Sequence, residues 1–373
     1  MPKRLAIVGA SARAAACSAV DAGFEVIAAD LFADADLAAR CHATRIADYP
    51  AALEGWLADA DCDGWLYTGA LENRPDLVGR MAEVKPLLGN GPQALAGCRD
   101  PQRLASLATE SGVGFPDTAT LEDRALEAGW LVKAAASAGG GRVWSTENWE
   151  QLKPADRPSD ALLQRRVTGQ SGAAVFLASR GVARLVGVSR QLTGEAWTGS
   201  SGFAYCGSIA PWAVPLSAAQ GLQQFANTAT ASFGLAGLFG VDFVLDGGQP
   251  WVLEINPRYT ASVEVLERCL GTSTIPGHVD SCRGRTPENL PRPQKAAGKA
   301  ILYAQRPFTL SQRLAEELLE SPGHGGYADI PHGGTVFDAG DPVLTVFAEA
   351  ARPDEVEPLL RDRAGAMEAR LYD

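Results

Sequence analysis

The segment PWVLEINPR, residues 250–258, combines a buried strand with a charge that a buried strand should exclude. Residues 251–255 alternate like a strand, but Glu254 interrupts the apolar run and the polar sequence NPR closes it. Burying a carboxylate that has no partner is unfavourable. The segment therefore predicts a strand that carries an acid for a chemical purpose, and the purpose must involve a neighbouring strand.

A second apolar strand, FGVDFVLD at residues 239–246, precedes this one and is joined to it through a glycine pair. Partners in an antiparallel ladder have a constant sum of residue numbers, so the loop length determines which side chains face each other. A two-residue loop pairs Asp242 with Leu253 and puts Asp242 and Glu254 on opposite faces. A three-residue loop, which is a common hairpin closure, pairs Asp242 with Glu254. We expect this second register.

Two carboxylates that face each other repel unless a cation lies between them. Magnesium takes oxygen ligands from one or two carboxylates and completes its shell with water and phosphate oxygens. Asp242, Glu254 and the amide oxygen of Asn256 are therefore predicted to bind magnesium, with manganese as the alternative. The other interpretation is a pair of acids on a solvated sheet face. The adjacent Arg258 favours the metal site, because a guanidinium suits a phosphoryl group or the carboxylate that attacks it.

A strand that carries a lysine runs into a glycine loop in the sequence LVKAAASAGGGR. Consecutive glycines let backbone N–H groups approach phosphates closely, and a strand lysine supplies a point charge for them. The loop fits neither the G-x-x-x-x-G-K-[ST] pattern nor the dinucleotide-binding pattern. Together with the predicted metal site it describes a site for ATP. The predicted phosphate-binding residues are Lys133, Gly139, Gly140, Gly141 and Arg142.

The composition excludes several classes of protein. Lys and Arg number 33 against 44 Asp and Glu, which gives a net charge of -11 with no basic block, so a nucleic-acid partner is not expected. No run approaches the ~20 apolar residues of a membrane span. The seven cysteines form no C-x-x-C pair and fit free thiols in a reducing compartment. We expect a soluble cytoplasmic protein, with a homodimer as the candidate assembly because dimers are common.

The 373 residues exceed what one hydrophobic core usually supports. Strand and helix patterns alternate at the start and predict an open, parallel α/β domain over 1–98. Antiparallel strand patterns with Gly-containing turns predict an α+β domain over 99–288. After the Pro-rich TPENLPRPQ, short strands predict a small β-rich domain over 289–373. The predicted fold class is therefore α/β plus α+β.

Three further residues lie where the first strands end, at the edge of a parallel sheet that binds ligands. Ser11 and Arg13 are predicted to bind a substrate carboxylate at a helix start, with a surface turn as the alternative. Glu72 is predicted to bind an amine or the nucleotide ribose, with an acid favoured by a helix dipole as the alternative.

These features, in this order, resemble the ATP-grasp superfamily. The resemblance covers the strand lysine with its glycine loop, the stretch LLQRRVTG, the strand GVDFVL, the motif EINPR and the small tail domain. An acidic strand before EINPR is its specific part. The resemblance implies the ATP-grasp fold with a preceding α/β domain, and ATP with magnesium as the cofactors.

The resemblance also implies roles for particular residues. Lys133 and Arg258 would be the catalytic contacts to phosphate, and the metal ligands would be the three residues predicted above. The segment against the adenine would include Gln164, Arg166 and Val167.

In two places the sequence departs from the family. A first lysine, usual at the start of the helix that begins RDPQR, is replaced by Pro101, and Arg103 is the candidate substitute. The hinge segment also lacks its usual acid.

The stretches YTGALENRPDL and VGVSRQLTGEAW are similar to carboxylate–amine ligases linked to methanofuran-type cofactor synthesis, in which glutamate is joined to tyramine. The similarity implies that ATP phosphorylates a small-molecule carboxylate and that an amine then attacks the acyl phosphate. Two alternatives are a nicotinamide-dependent oxidoreductase with Asp30 on the ribose and a non-catalytic nucleotide-binding module.

Overall fold

The computed structural model describes residues 3–135, 139–285, 290–321 and 326–372. The chain begins with a parallel four-stranded sheet of order β3-β2-β1-β4. Strands β1 and β4 are buried on both faces because helices cover them, which explains their continuous apolar runs, whereas the edge strand β3 is exposed or half-buried. The elements of this first domain are β1 (Arg4–Val8), α1 (Arg13–Asp21), β2 (Glu25–Asp30), α2 (Ala35–Ala38), β3 (His42–Arg45), α3 (Leu53–Asp59), β4 (Gly64–Tyr67), α4 (Pro75–Val84) and α5 (Pro92–Cys98).

A small antiparallel sheet of order β5-β8-β6-β7 follows a helix that is capped by Asp100. Tryptophans 130 and 149 pack in its own small core, which is separate from the other cores of the chain. The elements here are α6 (Pro101–Glu110), β5 (Thr118–Thr120), β6 (Trp130–Ala134), β7 (Val143–Ser145), α7 (Thr146–Gln151) and β8 (Ala161–Arg165).

An eight-stranded antiparallel sheet organises the rest of the chain, in the order β13-β12-β9-β10-β11-β14-β18-β16. Helix α8 packs on one face through Phe225, against Phe176 and Phe239, whereas α9 and α10 pack on the other face against α1. The elements are β9 (Gln170–Ser179), β10 (Val182–Thr193), β11 (Tyr205–Ala210), α8 (Leu216–Phe233), β12 (Gly237–Asp246), β13 (Gln249–Asn256), α9 (Ala261–Leu270) and α10 (Ile275–Cys282).

The C-terminal segment adds three strands to this large sheet, since β14 pairs with β11. The sheet therefore contains strands from both sides of residue 288. The domain bounds 1–98, 99–288 and 289–373 stay a prediction. The last elements are β14 (Ala296–Tyr303), β15 (Phe308–Thr309), α11 (Gln312–Glu320), β16 (Tyr327–Ala328), β17 (Val336–Phe337), β18 (Pro342–Ala350) and α12 (Val356–Tyr372).

The parallel first sheet and the antiparallel sheets that follow confirm the predicted α/β plus α+β class. None of the helices in the described ranges is both long and apolar enough to cross a bilayer.

Candidate functional site

The hairpin of β12 and β13 brings Asp242 opposite Glu254, although its turn is shorter than predicted. Asp246 pairs with Gln249, so the loop has two residues, and both of its glycines have positive φ as a type I′ turn requires. The expected three-residue loop is therefore wrong. The acids still face each other because Leu253 is a surplus residue, which forms a β-bulge between the partners of Phe243 and Asp242.

Both carboxylates share the amide of Asn256. Its Nδ2 donates to Oδ2 of Asp242 at 2.9 Å and to Oε1 of Glu254 at 3.1 Å. Gln191, which the sequence analysis did not single out, donates its Nε2 to Oδ1 of Asp242 at 3.1 Å. Burial, and then the charge of Glu254, raises the pKa of Asp242 to about 7. Both acids can therefore be fully ionised at neutral pH only if a further positive charge lies beside them.

A hard cation would supply that charge. Within the described part of the chain, no three His, Cys, Asp or Glu side chains are grouped to hold a metal ion. A cation here would rest on two carboxylates and would take its other oxygens from water, phosphate or the Asn256 amide, which is a donor set that fits magnesium. Oδ1 of Asn256 accepts from Nη2 of Arg258 at 3.1 Å. The predicted ligation through this oxygen therefore requires the amide to turn over.

Arg258 is fixed beside these acids by Glu72. The guanidinium lies 2.8 Å (Nε) and 2.6 Å (Nη2) from Oε1 of Glu72, and Nη1 donates to the backbone oxygen of Tyr259. Glu72 lies in a short 3-10 turn, Leu71–Asn73, and is 1% exposed. The acid that was predicted to bind an amine or a ribose thus contacts Arg258 with one oxygen. Its other oxygen, Oε2, is buried with no donor among the described residues.

A second arginine, Arg99, approaches the same oxygen of Glu72, with its Nη2 3.6 Å from Oε1. In the described ranges, Nε and Nη2 of Arg99 are buried and have no hydrogen-bond acceptor. Burial favours the neutral form of Glu254, but the charges of Lys133, Arg99 and Arg258 together with the hydrogen bond from Asn256 lower the pKa of Glu254. Arg99 is therefore a cation of this site whose Nε and Nη2 groups are available to bind an anion.

Arg103, the predicted substitute for the family's first lysine, lies elsewhere. Its side chain is exposed and stacks on the ring of Phe233 at 4.6 Å. The structure thus places Arg99 beside the acids, and the replacement of the lysine by Arg103 stays a prediction. The available signal was that Arg99 precedes the helix cap Asp100, where the chain turns between α5 and α6.

Lys133 lies on β6, and its charge lowers the pKa of Glu254. Its Nζ donates to Oε1 of the buried Gln164 on the paired strand β8, at 3.1 Å. Beyond that strand Arg166 is exposed and lies over the ring of Phe203 at 5.7 Å, and Val167 is half-buried.

The glycine loop packs against the chain before β11. The backbone oxygen of Gly139 accepts from the N–H of Tyr205 at 2.9 Å, and a Cβ on Gly140 would lie 2.0 Å from the backbone oxygen of Phe203. Both glycines also have positive φ. Glycine is therefore required here by close packing as well as by any phosphate. Gly141 and Arg142 are exposed, and residues 136–138 lie outside the described ranges.

Comparison with known proteins agrees with this geometry. Residues 99–262, from Arg99 to the start of α9, match a family model that is described as an ATP-grasp domain. The chain contains an ATP-grasp domain.

The matching curated relatives are much longer proteins. The carbamoyl phosphate synthase large chain of Pseudomonas syringae pv. tomato is 23% identical over 203 residues, which are 50% of this chain and 19% of that protein. The chain thus spans about a fifth of the length of the curated relatives it matches.

Solved structures resemble the whole chain and not only its ATP-grasp domain. The L-amino acid ligase from Bacillus licheniformis superposes with a TM-score of 0.71 at 16% identity, covering 96% of both chains. The biotin carboxylase domain of the Hydrogenobacter thermophilus 2-oxoglutarate carboxylase has a TM-score of 0.68 at 14% identity, covering 97% of this chain and 88% of that one. At these identities the likeness establishes the fold, and the predicted ATP-grasp fold is confirmed.

Arg13 ties the first domain to the ATP-grasp domain. The guanidinium is 4% exposed, and it donates to both oxygens of Asp329 and to both oxygens of Glu264. Nζ of Lys299 also contacts Glu264, at 3.0 Å. A substrate carboxylate could bind Arg13 only by displacing one of these acids. The guanidinium that was predicted to bind the substrate is thus already paired within the protein. Ser11 is exposed near the start of α1.

Asp30 is occupied by the backbone. Its carboxylate accepts from the N–H groups of Ala12, Phe32 and Ala33 at 2.6–3.0 Å, and the residue is fully buried. The oxidoreductase alternative required this acid to bind a ribose. The N-terminal β-α-β unit therefore has no free acid at that position.

Proposed function

We propose that this chain is an ATP-dependent ligase that joins a small-molecule carboxylate to an amine, with release of ADP and phosphate. The observation that carries the proposal is the facing pair Asp242 and Glu254, one charge short, beside an arginine that Glu72 holds in place. Acids in this state suit a phosphate-bound cation. The likeness of the whole fold to an L-amino acid ligase supports the proposal.

In the proposed reaction, a substrate carboxylate oxygen attacks the γ-phosphorus of ATP, and ADP leaves. The amine nitrogen then attacks the acyl carbon of the acyl phosphate, phosphate leaves, and the nitrogen loses a proton to give the amide. Catalysis of such transfers is mostly positioning and charge neutralisation. Lys133 and Arg99 would neutralise the phosphates, the backbone of Gly139, Gly140 and Gly141 would cradle them, and Arg258 would steady the acyl phosphate.

Asp242 and Glu254 would hold magnesium or manganese at this site. A bound ion would neutralise charge on the phosphates of the nucleotide. The similar Hydrogenobacter structure contains MgADP, which supports magnesium as the physiological ion. The strand end from Gln164 to Val167 would lie against the adenine.

Three finer proposals accompany this one. A role in methanofuran-like cofactor synthesis is supported by the resemblance of YTGALENRPDL, and a cytoplasmic location by the seven free cysteines. A homodimer is supported by the dimer named for the Hydrogenobacter domain.

The decisive test is a screen for ADP release that crosses carboxylates with amines and includes glutamate with tyramine or tyrosine. A ligase releases ADP only when both substrates are present, an oxidoreductase changes the absorbance of a nicotinamide, and a binding module does neither. Glu254→Gln should abolish turnover, whereas Asp246→Asn, at the exposed tip of the same hairpin, should not. Full turnover by Glu254→Gln would refute the metal assignment.

A further inference from the structure

A cavity of about 620 Å³ lies beside the candidate phosphate site, where three parts of the chain meet. Of the residues assigned above to phosphate and cation, Arg258 and Gly139 line it. Its volume lies within the ~300–1,000 Å³ of small-molecule sites. Hydrogen bonds connect the wall around Ala33 to the wall around Ile330. The N–H of Ala35 donates to the backbone oxygen of Ile330 at 2.8 Å, and His332 contacts the backbone oxygen of Ala33 at 2.9 Å.

The cavity has mostly apolar walls. The hydroxyl of Tyr303 donates to the backbone oxygen of Tyr205, that of Tyr259 donates to Glu267, and that of Tyr205 contacts a serine, so the rings remain to line the space. Phe32 is 47% exposed and also lines the cavity. An exposed phenylalanine that continues an apolar wall favours a ligand with an apolar body.

The buried cations of the cavity already have partners. Each of them contacts a carboxylate in the structure, and the pairs are Arg13 with Glu264 and Asp329, Lys299 with Glu264, and Arg258 with Glu72. Arg45 is exposed, so water screens its charge. The positive charges of the cavity therefore offer little to an anion inside it.

One buried acid of the cavity has no such partner. Asp34 is 8% exposed and lines the cavity, and it does not cap the helix α2 that it precedes. No donor among the described residues forms a hydrogen bond with its carboxylate. Buried polar groups are nearly always paired, so this carboxylate lacks a cationic or donor partner that a ligand would bring.

We propose that this cavity binds the amine substrate, that Asp34 receives the ammonium group, and that the aromatic and aliphatic walls take up an apolar body. The naming of this ligand as a substrate rests on the proposed ligase function. The substrate class is then primary amines on an apolar skeleton, with Arg258 and Gly139 marking the end of the cavity that faces the acyl phosphate.

The charges around Asp34 support an ammonium ligand. Burial, and then Asp329, Asp36 and Asp30, raise the pKa of Asp34 to about 9, against the lowering effect of Arg13. The carboxyl group therefore holds a proton at neutral pH when the cavity is empty. An ammonium ion beside it favours the ionised form, so the binding of an alkylammonium ion should release this proton.

The test compares two ligands of the same shape and opposite charge, phenethylamine and 3-phenylpropanoate. Their binding to the full chain is measured by titration calorimetry in two buffers of different ionisation enthalpy, with and without Mg²⁺ and a non-hydrolysable ATP analogue. Phenethylamine should bind with proton release and at least about tenfold more tightly than 3-phenylpropanoate. Equal or tighter binding of the anion, or no binding of the amine in either state, would overturn the proposal.

The variant Asp34→Asn should weaken phenethylamine binding about tenfold and remove the proton release. Asp48→Asn, an exposed aspartate of the same domain, should change neither. If the Asp34→Asn protein folds and binds phenethylamine unchanged, the proposal is overturned. If this variant does not fold, the comparison of the two ligands on the unaltered protein still tests the proposal. Binding of phenethylamine without ADP release in the full screen would refute the ligase and leave the ammonium site. ADP release that the Asp34→Asn substitution does not change would refute the ammonium site and leave the ligase function.

Discussion

One oxygen of Glu72 accepts a hydrogen bond from Nε of Arg258 and lies 2.6 Å from its Nη2, across 186 positions of the chain. The first domain thereby orients an arginine of the ATP-grasp domain. This contact makes the α/β domain part of the candidate site and not merely its neighbour.

Replacing Glu72 by Gln should therefore affect both folding and turnover. The buried guanidinium would lose its counter-charge, and we expect the free energy of unfolding to fall by about 2–3 kcal/mol. The rate of ADP release should fall roughly tenfold or more as Arg258 loses its orientation. Urea denaturation and steady-state kinetics measure the two effects. Glu54→Gln, which breaks a more exposed pair with Arg80, should change stability by less than about 1 kcal/mol. Equal effects of the two substitutions would contradict the role of Glu72.

Arg99 and Arg103 form a matched pair, since both flank the start of α6. Arg99→Gln should raise the KM for ATP roughly tenfold, because it removes a buried cation with unused donors. Arg103→Gln should leave the KM near its original value, because its guanidinium stacks on Phe233. The reverse order of effects would restore Arg103 as the substitute for the missing lysine.

The raised pKa of Asp242 predicts a pH dependence of stability in the metal-free protein. Between about pH 4, where an unfolded aspartate titrates, and about pH 7, the folded state holds a proton that the unfolded state has lost. Stability should therefore fall as pH rises through this window, relative to Asp242→Asn, which lacks the titration. Denaturation in EDTA at pH 5 and pH 8 measures the difference. Adding Mg²⁺ with ATP at pH 8 should restore stability to the unaltered protein but not to the variant.

Arg13→Gln distinguishes a structural role from substrate binding. Breaking its buried pairs should cost about 3–5 kcal/mol, because Glu264 and Asp329 would be left without their main partner. The exposed pair of Arg4 with Glu25 supplies the control, and Arg4→Gln should leave the free energy of unfolding close to its original value. An Arg13→Gln protein of normal stability that bound its carboxylate substrate poorly would revive the carboxylate role inferred from sequence.

Local sequence patterns were enough to predict the fold class and the two facing acids. The acid in EINPR, its partner in the preceding strand and the lysine on a strand before a glycine loop all rest on alternation over a few residues. Such patterns give the fold class and the facing acids, because strand periodicity determines which side chains share a face.

Contacts between distant residues could not be predicted in the same way. Nothing in GALEN indicates that Glu72 will meet Arg258, and nothing in RDPQR separates Arg99 from Arg103, because both depend on how distant parts of the chain pack together. The bulge at Leu253 is a subtler case. Loop-length rules treat a ladder as regular, so they needed an extra loop residue to reach the pairing that the bulge provides.

That surplus residue divides the hairpin into two halves with independent registers. The outer half follows its glycine turn, while the inner half, with Asp242 and Glu254, keeps the alignment that the chemistry needs. Leu253 thus acts as a joint that decouples the tip from the site. A one-residue deletion at the tip can be absorbed by straightening this joint, since a regular ladder that keeps the same facing acids leaves the three residues 247–249 in the loop, and a tight turn needs only two. The tip is accordingly a place where this chain can lose one residue while Asp242 and Glu254 stay opposite each other.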